Sequence, residues 1–228
     1  MTDSVVVTGG GGALGAAVVA RSLAEGWRVI AVDAVERRLE RVRAAHPGGA
    51  VETARVDLAD SGSVDDFFTR DLGATPRVAH LVGGFACGPL AELDDETWRS
   101  QIEVNLDTTF RLFRACARAF AKAGAGSLVA VSSPHALVTP ANVAAYAAAK
   151  AGVLRLVQGL AAELGRAGRV NAVLPQTMDT PANRTAMPDV DPAQWIRTED
   201  VAEVIVFLLS ERARGVSGAF VEVGHAGG

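Results

Sequence analysis

Short apolar runs alternate along the chain with longer stretches whose apolar residues recur at helical spacing. The apolar runs occupy residues 5–7, 28–32, 50–56, 78–82, 127–131, 169–174 and 219–223. The helical pattern occupies residues 13–25, 35–45, 63–71, 96–122, 144–165 and 198–210. This alternation predicts a parallel sheet covered by helices on both faces. The runs are apolar throughout, as strands buried on both faces require.

Residues 175–197 form the one long stretch without either periodicity. It contains four prolines and the large apolar residues Met178, Met187 and Trp195. Loops of this length inside a compact domain are usually functional, although a solvated surface excursion is the alternative. Large apolar side chains suit a solvated loop poorly, so we expect a substrate loop or lid here. With no internal repeat and no linker, residues 1–228 are expected to form a single domain.

Composition narrows the class of protein. The chain has 228 residues, 49% of them apolar and 21% charged, which is typical of one folded domain. The net charge of −4 and the lack of a basic block argue against nucleic acid as a partner. Charges and glycines interrupt every apolar stretch, and the N-terminus does not resemble a secretory signal, so we expect a cytoplasmic protein away from membranes.

Cysteine and histidine usage points in the same direction. The two cysteines, Cys87 and Cys116, make no disulfide framework, which suits a reducing compartment. We expect Cys87 to be a small buried side chain. No cluster of His, Cys and carboxylate residues has the spacing of metal ligands, so no metal site is predicted.

A glycine-rich turn follows the first predicted strand and opens the first predicted helix. Its sequence, TGGGGALG from Thr8 to Gly15, satisfies G-x-G-x-x-G through Gly10, Gly12 and Gly15. It also satisfies T-G-x-x-x-[G/A]-x-G through Gly9, Ala13 and Gly15. Glycine lets the backbone approach a pyrophosphate, and a helix N-terminus attracts its charge. A flexible loop would have a similar composition, so the strand before and the helix after carry the prediction.

An acidic residue, Asp33, ends the second predicted strand. A carboxylate about 20 residues after the turn accepts the ribose hydroxyl protons of NAD and repels the 2′-phosphate of NADP. We therefore expect NAD(H) to be preferred, with NADP(H) still possible because Arg37 and Arg38 are close in sequence. After the third strand, Asp57 and Leu58 are candidate adenine contacts.

A phenol and an ammonium stand four residues apart, at Tyr146 and Lys150, in the predicted helix over residues 144–165. That spacing places both side chains on one helix face. A neighbouring ammonium is expected to lower the phenol pKa, which would make Tyr146 a proton donor or acceptor for a carbonyl or alcohol. Ser133 ends the fifth predicted strand, where its hydroxyl could stabilise charge on a substrate oxygen.

In this order along nearly the whole chain, these motifs resemble the short-chain dehydrogenase/reductase family. The resemblance implies a single Rossmann-type α/β domain with a doubly wound, seven-stranded parallel sheet in the order 3-2-1-4-5-6-7, and a homotetramer or homodimer. It implies a catalytic tetrad of Asn105, Ser133, Tyr146 and Lys150, in which Asn105 holds a water of the proton relay. Cofactor contacts are expected at Gly9, Gly12, Ala13, Leu14, Gly15, Asp33, Asp57, Leu58, Gly83, Tyr146, Lys150, Pro175 and Thr180.

The chain departs from the family pattern after the fourth strand, where the family's Asn-Asn-Ala-Gly is replaced by a segment beginning at His80 and ending at Gly83. Gln176 also replaces the glycine that usually follows Pro175. Residues 172–188 are similar to quinonoid dihydropteridine reductase, although animal reductases of that type lack the serine found at position 133.

Three functions follow from these observations. The leading hypothesis is an oxidoreductase that transfers a hydride between NAD(H) and a small carbonyl or alcohol. The alternatives are a dihydropteridine-reductase-like enzyme and a non-catalytic NAD-binding sensor or scaffold. His135 could line the substrate pocket or be a solvated loop residue, with the solvated position favoured. Asn183 and Arg184 could recognise a polar substrate group or stabilise their own loop.

Overall fold

The computed structural model describes residues 3–70, 72 and 76–224. Its strands are β1 Ser4–Thr8, β2 Arg28–Asp33, β3 Val51–Arg55, β4 Arg77–His80, β5 Ser127–Val131, β6 Arg169–Pro175 and β7 Phe220–Val223. Its α-helices are α1 Ala13–Ala24, α2 Glu36–Ala45, α3 Ser61–Phe67, α4 Asp95–Ile102, α5 Thr108–Ala123, α6 Ala144–Leu164, α7 Pro181–Ala186 and α8 Thr198–Leu209. Residue 71, which ends the predicted third helix, and His225 lie outside the described residues.

The seven strands form one parallel sheet in the order β3-β2-β1-β4-β5-β6-β7. The predicted fold class and strand order are therefore confirmed. The order reverses between β1 and β4, which opens a crevice beyond the carboxyl ends of the central strands. Thr8, Asp33, His80, Val131 and Pro175 end their strands at this edge.

Successive residues of β1 pack on opposite faces of the sheet. Val6 packs in a cluster with side chains of α3, α5 and α6. Val5 and Val7 pack in a second cluster with side chains of α1, α2 and α8. All three valines are at most 1% exposed, so burial on both sides explains the unbroken apolar run in the sequence.

The predicted helix over residues 96–122 is interrupted by a π-helical turn. Helix α4 ends at Ile102, the turn spans Glu103–Asp107, and α5 continues from Thr108. Such turns occur frequently at functional sites. A single π turn displaces the apolar pattern by only one residue. So small a displacement does not distinguish the interrupted helix from a continuous one. Helix α5 then ends at Gly124, whose φ of 70° is the left-handed conformation that glycine adopts without strain.

The segment 175–197 has more order than the sequence predicted. It contains α7 and a 3-10 turn at Pro192–Gln194. Met178 and Ile196 form a parallel bridge that pairs its two ends. Trp195 is 7% exposed, so the segment is anchored on the domain. Its role as a substrate lid remains a prediction. Within the described residues, none of the helices combines the length and apolarity needed to cross a bilayer.

Candidate active site

Reciprocal hydrogen bonds lock the end of β5 to α6. The Ser132 hydroxyl donates to the backbone carbonyl of Lys150 at 2.9 Å. The Lys150 ammonium donates in turn to the carbonyl of Val131 at 3.0 Å. Ser132 and Lys150 are 3% and 4% exposed, so both bonds are shielded from water. The strand end and the helix are thereby held in one register, which brings Ser133 to Tyr146.

Ser133 and Tyr146 line the same cavity, and Ser133 is close enough to the Tyr146 phenol to lower its pKa. The Ser133 oxygen accepts from the backbone N–H of His135 at 3.2 Å, which fixes the serine rotamer. Two hydroxyl groups this close can approach a single third oxygen. The predicted pairing of these two residues is therefore present in the structure.

The net shift in the pKa of Tyr146 is opposite to the predicted lowering. Burial raises the pKa of Tyr146 above its usual value, and the neighbouring Ser133 hydroxyl opposes that rise. The Lys150 ammonium lies 5.8 Å from the centre of the Tyr146 ring and bonds to Val131 instead. Burial also lowers the pKa of Lys150 to about 8. Both groups are thus shifted toward their neutral forms by loss of water.

Asn105 lies inside the π-helical turn and is fully buried. Its amide nitrogen donates to the carbonyls of Gly84 at 2.9 Å and Gln101 at 3.1 Å. Its amide oxygen accepts from the N–H of Gly84 at 3.1 Å. The side chain therefore fastens the loop after β4 to the π turn. Its expected role in holding a relay water remains a prediction.

A cavity of about 370 Å³ lies beyond the carboxyl ends of β1, β2 and β3. Six of the expected cofactor contacts line it. Those residues are Gly9, Gly12, Asp33, Asp57, Leu58 and Gly83. The cavity meets a second one at Leu81 and Gly83, which line both. The two cavities together form a channel along the sheet edge that suits an extended dinucleotide.

The glycine turn fits closely against its surroundings. A Cβ atom at Gly15 would lie 2.3 Å from the carbonyl oxygen of Gly9, and one at Gly11 would lie 2.4 Å from the Cβ of Arg38. Gly9 has a φ of 72°. Side chains are therefore excluded from the turn, which leaves bare backbone facing the cavity, as diphosphate binding requires.

Asp33 offers a buried carboxylate to this cavity. It is 5% exposed, and its Oδ1 accepts from the N–H of Val35 at 3.0 Å. Its Oδ2 is buried and has no hydrogen-bond partner. A buried carboxylate oxygen without a partner is costly, so it favours a ligand that donates hydroxyl protons there. The Arg38 guanidinium lies 3.7 Å from Oδ1. The residues present therefore fit the ribose of a dinucleotide.

Some expected contacts do not line either cavity. Leu14 points into the core beneath α1, and Gly15 serves to pack the turn. Ala13, on the exposed side of α1, also lies outside both linings. Their predicted contacts with the cofactor remain predictions.

The second cavity has a volume of about 800 Å³ and contains the catalytic candidates. Ser133, Tyr146 and Lys150 line it together with Pro175 and Thr180. The other lining residues are Leu81, Gly83, Gly84, Phe85, Val131, Ser132, Pro134, His135, Gln176, Thr177, Met178, Asn183, Met187, Gln194 and Trp195. Among the described residues, no group of three or more His, Cys, Asp or Glu side chains is placed to hold a metal ion.

The structure shows the positions of the residues for which the sequence left two interpretations open. His135 lines the second cavity and its ring lies edge-on to Tyr146 with centroids 6.3 Å apart, so its interpretation as a solvated loop residue is wrong. Asn183 donates to the Met178 carbonyl at 2.8 Å, and Arg184 forms an ion pair with Asp179. Both bonds stabilise the loop itself.

Cys87 is exposed, contrary to the expectation that it is buried, because the loop after β4 runs over the surface there. The sequence also gave no signal for Glu103, Val104 and Thr108, which line the first cavity. These residues reach the cavity only because the π turn changes the direction of the helix surface. The spacing of apolar residues along the chain does not indicate that change.

Comparison with known proteins places these features in a wider context. A sequence profile of the family described as short chain dehydrogenase matches residues 3–191. The cis-4-hydroxycyclohexanecarboxylate dehydrogenase of Sinomonas cyclohexanicum is 36% identical over 96% of this chain and 93% of its own length. Carbonyl reductase [NADPH] 2 of Sus scrofa is 32% identical over 96% of this chain and 95% of its own length.

Solved structures agree with the sequence relatives. An oxidoreductase of the short chain dehydrogenase/reductase family from Burkholderia thailandensis has a TM-score of 0.90 and 28% identity. The match covers 98% of this chain and 92% of that one. Fold and sequence similarity therefore agree along nearly the full length of the chain.

Proposed function

Since the chain belongs to the short-chain dehydrogenase/reductase family, and is thus an oxidoreductase acting on small molecules with a nicotinamide dinucleotide, we propose that it transfers a hydride between NAD(H) and a small carbonyl or alcohol. The observation that carries the proposal is the proximity of Ser133 and Tyr146 on the wall of a cavity that adjoins the glycine-turn cavity. Hydride transfer to a carbonyl carbon needs a proton at the oxygen, and this pair supports its delivery.

The residues of the second cavity have distinct roles in the proposal. Tyr146 gives a proton to the substrate oxygen during reduction and takes one from the alcohol during oxidation. Ser133 donates a hydrogen bond to the same oxygen and stabilises its developing charge. The Lys150 ammonium binds the ribose next to the nicotinamide and opposes the burial that raises the pKa of Tyr146. A bound nicotinamide dinucleotide supplies or accepts the hydride.

Preference for NAD(H) over NADP(H) belongs to the same proposal. The buried Asp33 carboxylate lines the first cavity and has an unpartnered oxygen, which supports ribose hydroxyls as its ligands. A 2′-phosphate at that point would face a like charge. Arg38 is half exposed beside Asp33 and could reduce the discrimination without reversing it.

The test is a screen of small ketones and secondary alcohols in which NADH and NADPH are followed by their absorbance. Tyr146→Phe removes only the phenolic oxygen, and we expect kcat to fall about 10²- to 10⁴-fold because proton transfer is lost. NADH affinity, measured by fluorescence titration, is the internal control and should stay within about twofold because the tyrosine hydroxyl makes little of the cofactor contact.

Quinonoid dihydropterin belongs in the screen as a discriminating substrate. Full activity of Tyr146→Phe on any responsive substrate would rule out the assigned proton donor. Tight NADH binding with no turnover across the panel would favour the sensor function instead. A strong preference for NADPH would overturn the role given to Asp33.

A further inference from the structure

We propose that the second cavity selects an uncharged, mainly apolar ketone or secondary alcohol and discriminates against substrates that carry a carboxylate or phosphate. The proposal rests on the function proposed above and concerns the part of the substrate beyond the reacting carbonyl. Three observations support it. The cavity wall has little charge, the nearby cations already have partners, and aromatic and apolar side chains lie around Tyr146.

The wall of the cavity has little charge. Among the described residues that line it there is no Asp, Glu or Arg, and Lys150 is the only Lys. The Lys150 ammonium is directed to the carbonyl of Val131 at 3.0 Å, inside the protein. The polar groups that remain on the distal wall are neutral amides and hydroxyls, which are Gln176, Thr177, Thr180, Asn183 and Gln194.

The guanidinium on the adjoining helix is already neutralised. Arg184 follows the lining residue Asn183 on α7. It makes a bidentate ion pair with Asp179, with Nε–Oδ1 and Nη2–Oδ2 distances of 2.6 and 2.7 Å. An anionic substrate would have to displace the Asp179 carboxylate to use this cation. The pair therefore contributes no net positive charge to the cavity.

Two rings pack edge-on against the Tyr146 ring. The Phe85 ring lies edge-on to Tyr146 with centroids 5.0 Å apart, and the His135 ring does so at 6.3 Å. Met178 and Trp195 contribute further apolar surface from the opposite wall. Methionine side chains adapt to irregular apolar shapes, so this wall suits a compact hydrocarbon body.

An unpaired charge is penalised in such surroundings. Moving a carboxylate from water to a site without a counter-charge costs far more than moving a neutral amide of the same shape. The cost falls on binding and on the transition state alike, so it lowers kcat/KM. A neutral substrate of equal size has no such penalty and gains from the apolar wall.

The experiment compares 4-oxocyclohexanecarboxamide with 4-oxocyclohexanecarboxylate, which have nearly the same shape and differ in charge. With saturating NADH at neutral pH, we expect kcat/KM to be at least about tenfold higher for the amide. Equal values, or a higher value for the acid, would overturn the proposal. If neither ketone is reduced, calorimetric binding to the NADH-loaded protein decides the question.

In that binding experiment, tighter binding of the amide supports charge selection even though the proposed function has failed for this substrate class. Equal affinities, or no binding of either compound, contradict it. Turnover and binding thus separate a failure of the charge inference from a failure of the oxidoreductase function.

The second part of the experiment introduces a charge on the cavity wall. Gln194 is exposed at the cavity rim and lies in the 3-10 turn, so Gln194→Arg should fold normally. We expect the acid-to-amide ratio of kcat/KM, or of affinity where turnover is absent, to be about tenfold higher at low salt in Gln194→Arg than in the wild type. Gln194→Met is the matched control without charge. An acid-to-amide ratio that is the same in both variants would contradict the proposal.

Discussion

At the scale of single residues, His80 is the least expected member of the site. It is 1% exposed, and its ring lies between the hydroxyls of Thr8 and Thr109, each 2.9 Å away. Thr109 donates its hydroxyl proton to the carbonyl of Asn105 at 2.6 Å. The Thr109 oxygen must therefore accept from Nε2–H, and the Nδ1 of His80 accepts from Thr8. His80 is thus a neutral Nε2–H tautomer that connects the start of the glycine turn to the π-helical turn.

This geometry predicts how stability depends on pH. Burial lowers the pKa of His80 to about 3, whereas histidine in an unfolded chain titrates near ~6.5. The unfolded chain then binds the extra proton, so the stabilisation is complete above pH ~6.5 and is lost as the pH falls toward the folded value. Between pH 7 and pH 5 we expect the wild-type protein to lose roughly 2 kcal/mol more of its free energy of unfolding than His80→Gln loses.

Urea denaturation at the two pH values measures this difference. Carboxylates titrate in both proteins, and the comparison with the variant cancels their contribution. Equal losses in the two proteins would mean that His80 titrates at the same pH in the folded and unfolded states, which would contradict its burial in the hydrogen-bond chain from Thr8 to Asn105.

At the scale of elements, the loop after β4 is fitted between the π turn and α6. A Cβ atom at Gly83 would lie 2.8 Å from Oδ1 of Asn105 and 2.9 Å from Nζ of Lys150. Both of these atoms end side chains, so an alanine could be accommodated by moving the ammonium. The close approach therefore matters more to the site than to the fold.

Gly83→Ala should accordingly lower kcat about 10- to 100-fold while leaving the melting temperature within a few degrees, because displacement of a site group by about 1 Å has effects of this size. Steady-state kinetics and thermal denaturation measure the two quantities. Gly88→Ala is the matched control, since a Cβ atom there would meet nothing within 4 Å. If the two variants had equal kcat values, the contact with Lys150 would have no catalytic importance.

At the scale of the whole molecule, the two cavities lie in sequence along the carboxyl edge of the sheet and join at Leu81 and Gly83. Strands from both halves of the sheet contribute to the channel, since Asp33 ends β2 and Pro175 ends β6. A dinucleotide extended along the channel would contact both halves. Its binding is therefore expected to stabilise the whole domain rather than one loop.

NADH at 100 times its dissociation constant should stabilise the folded protein by about 2.7 kcal/mol, which corresponds to a rise of roughly 5–10 °C in melting temperature. Differential scanning calorimetry measures the rise, and NADPH at the same concentration is the comparison. We expect a smaller rise with NADPH because of the Asp33 carboxylate. No rise with either dinucleotide would contradict the assignment of the channel.

The sequence predicted the parallel sheet and the residues at the strand ends because each depends on local patterns, whereas the strand order followed from the resemblance to the family. A buried parallel strand is an unbroken apolar run, as Val5, Val6 and Val7 illustrate. A diphosphate turn needs glycines at fixed spacing before a helix. The pairing of Ser133 with Tyr146 followed from the family's order of motifs, and strand and helix carry the two residues to one point.

Tertiary structure alone decided the features that depend on contacts between distant segments. The π turn, the position of His80 between β1 and α5, and the bond from Lys150 to Val131 leave no periodic trace in the chain. The pKa shift of Tyr146 has a sign that the spacing to Lys150 predicted wrongly, because burial depends on every neighbour and outweighs one charge. The neutrality of the substrate wall also depends on contacts between distant segments. It arises from which side chains three loops and helix α6 bring together and from the pairing of Arg184 with Asp179.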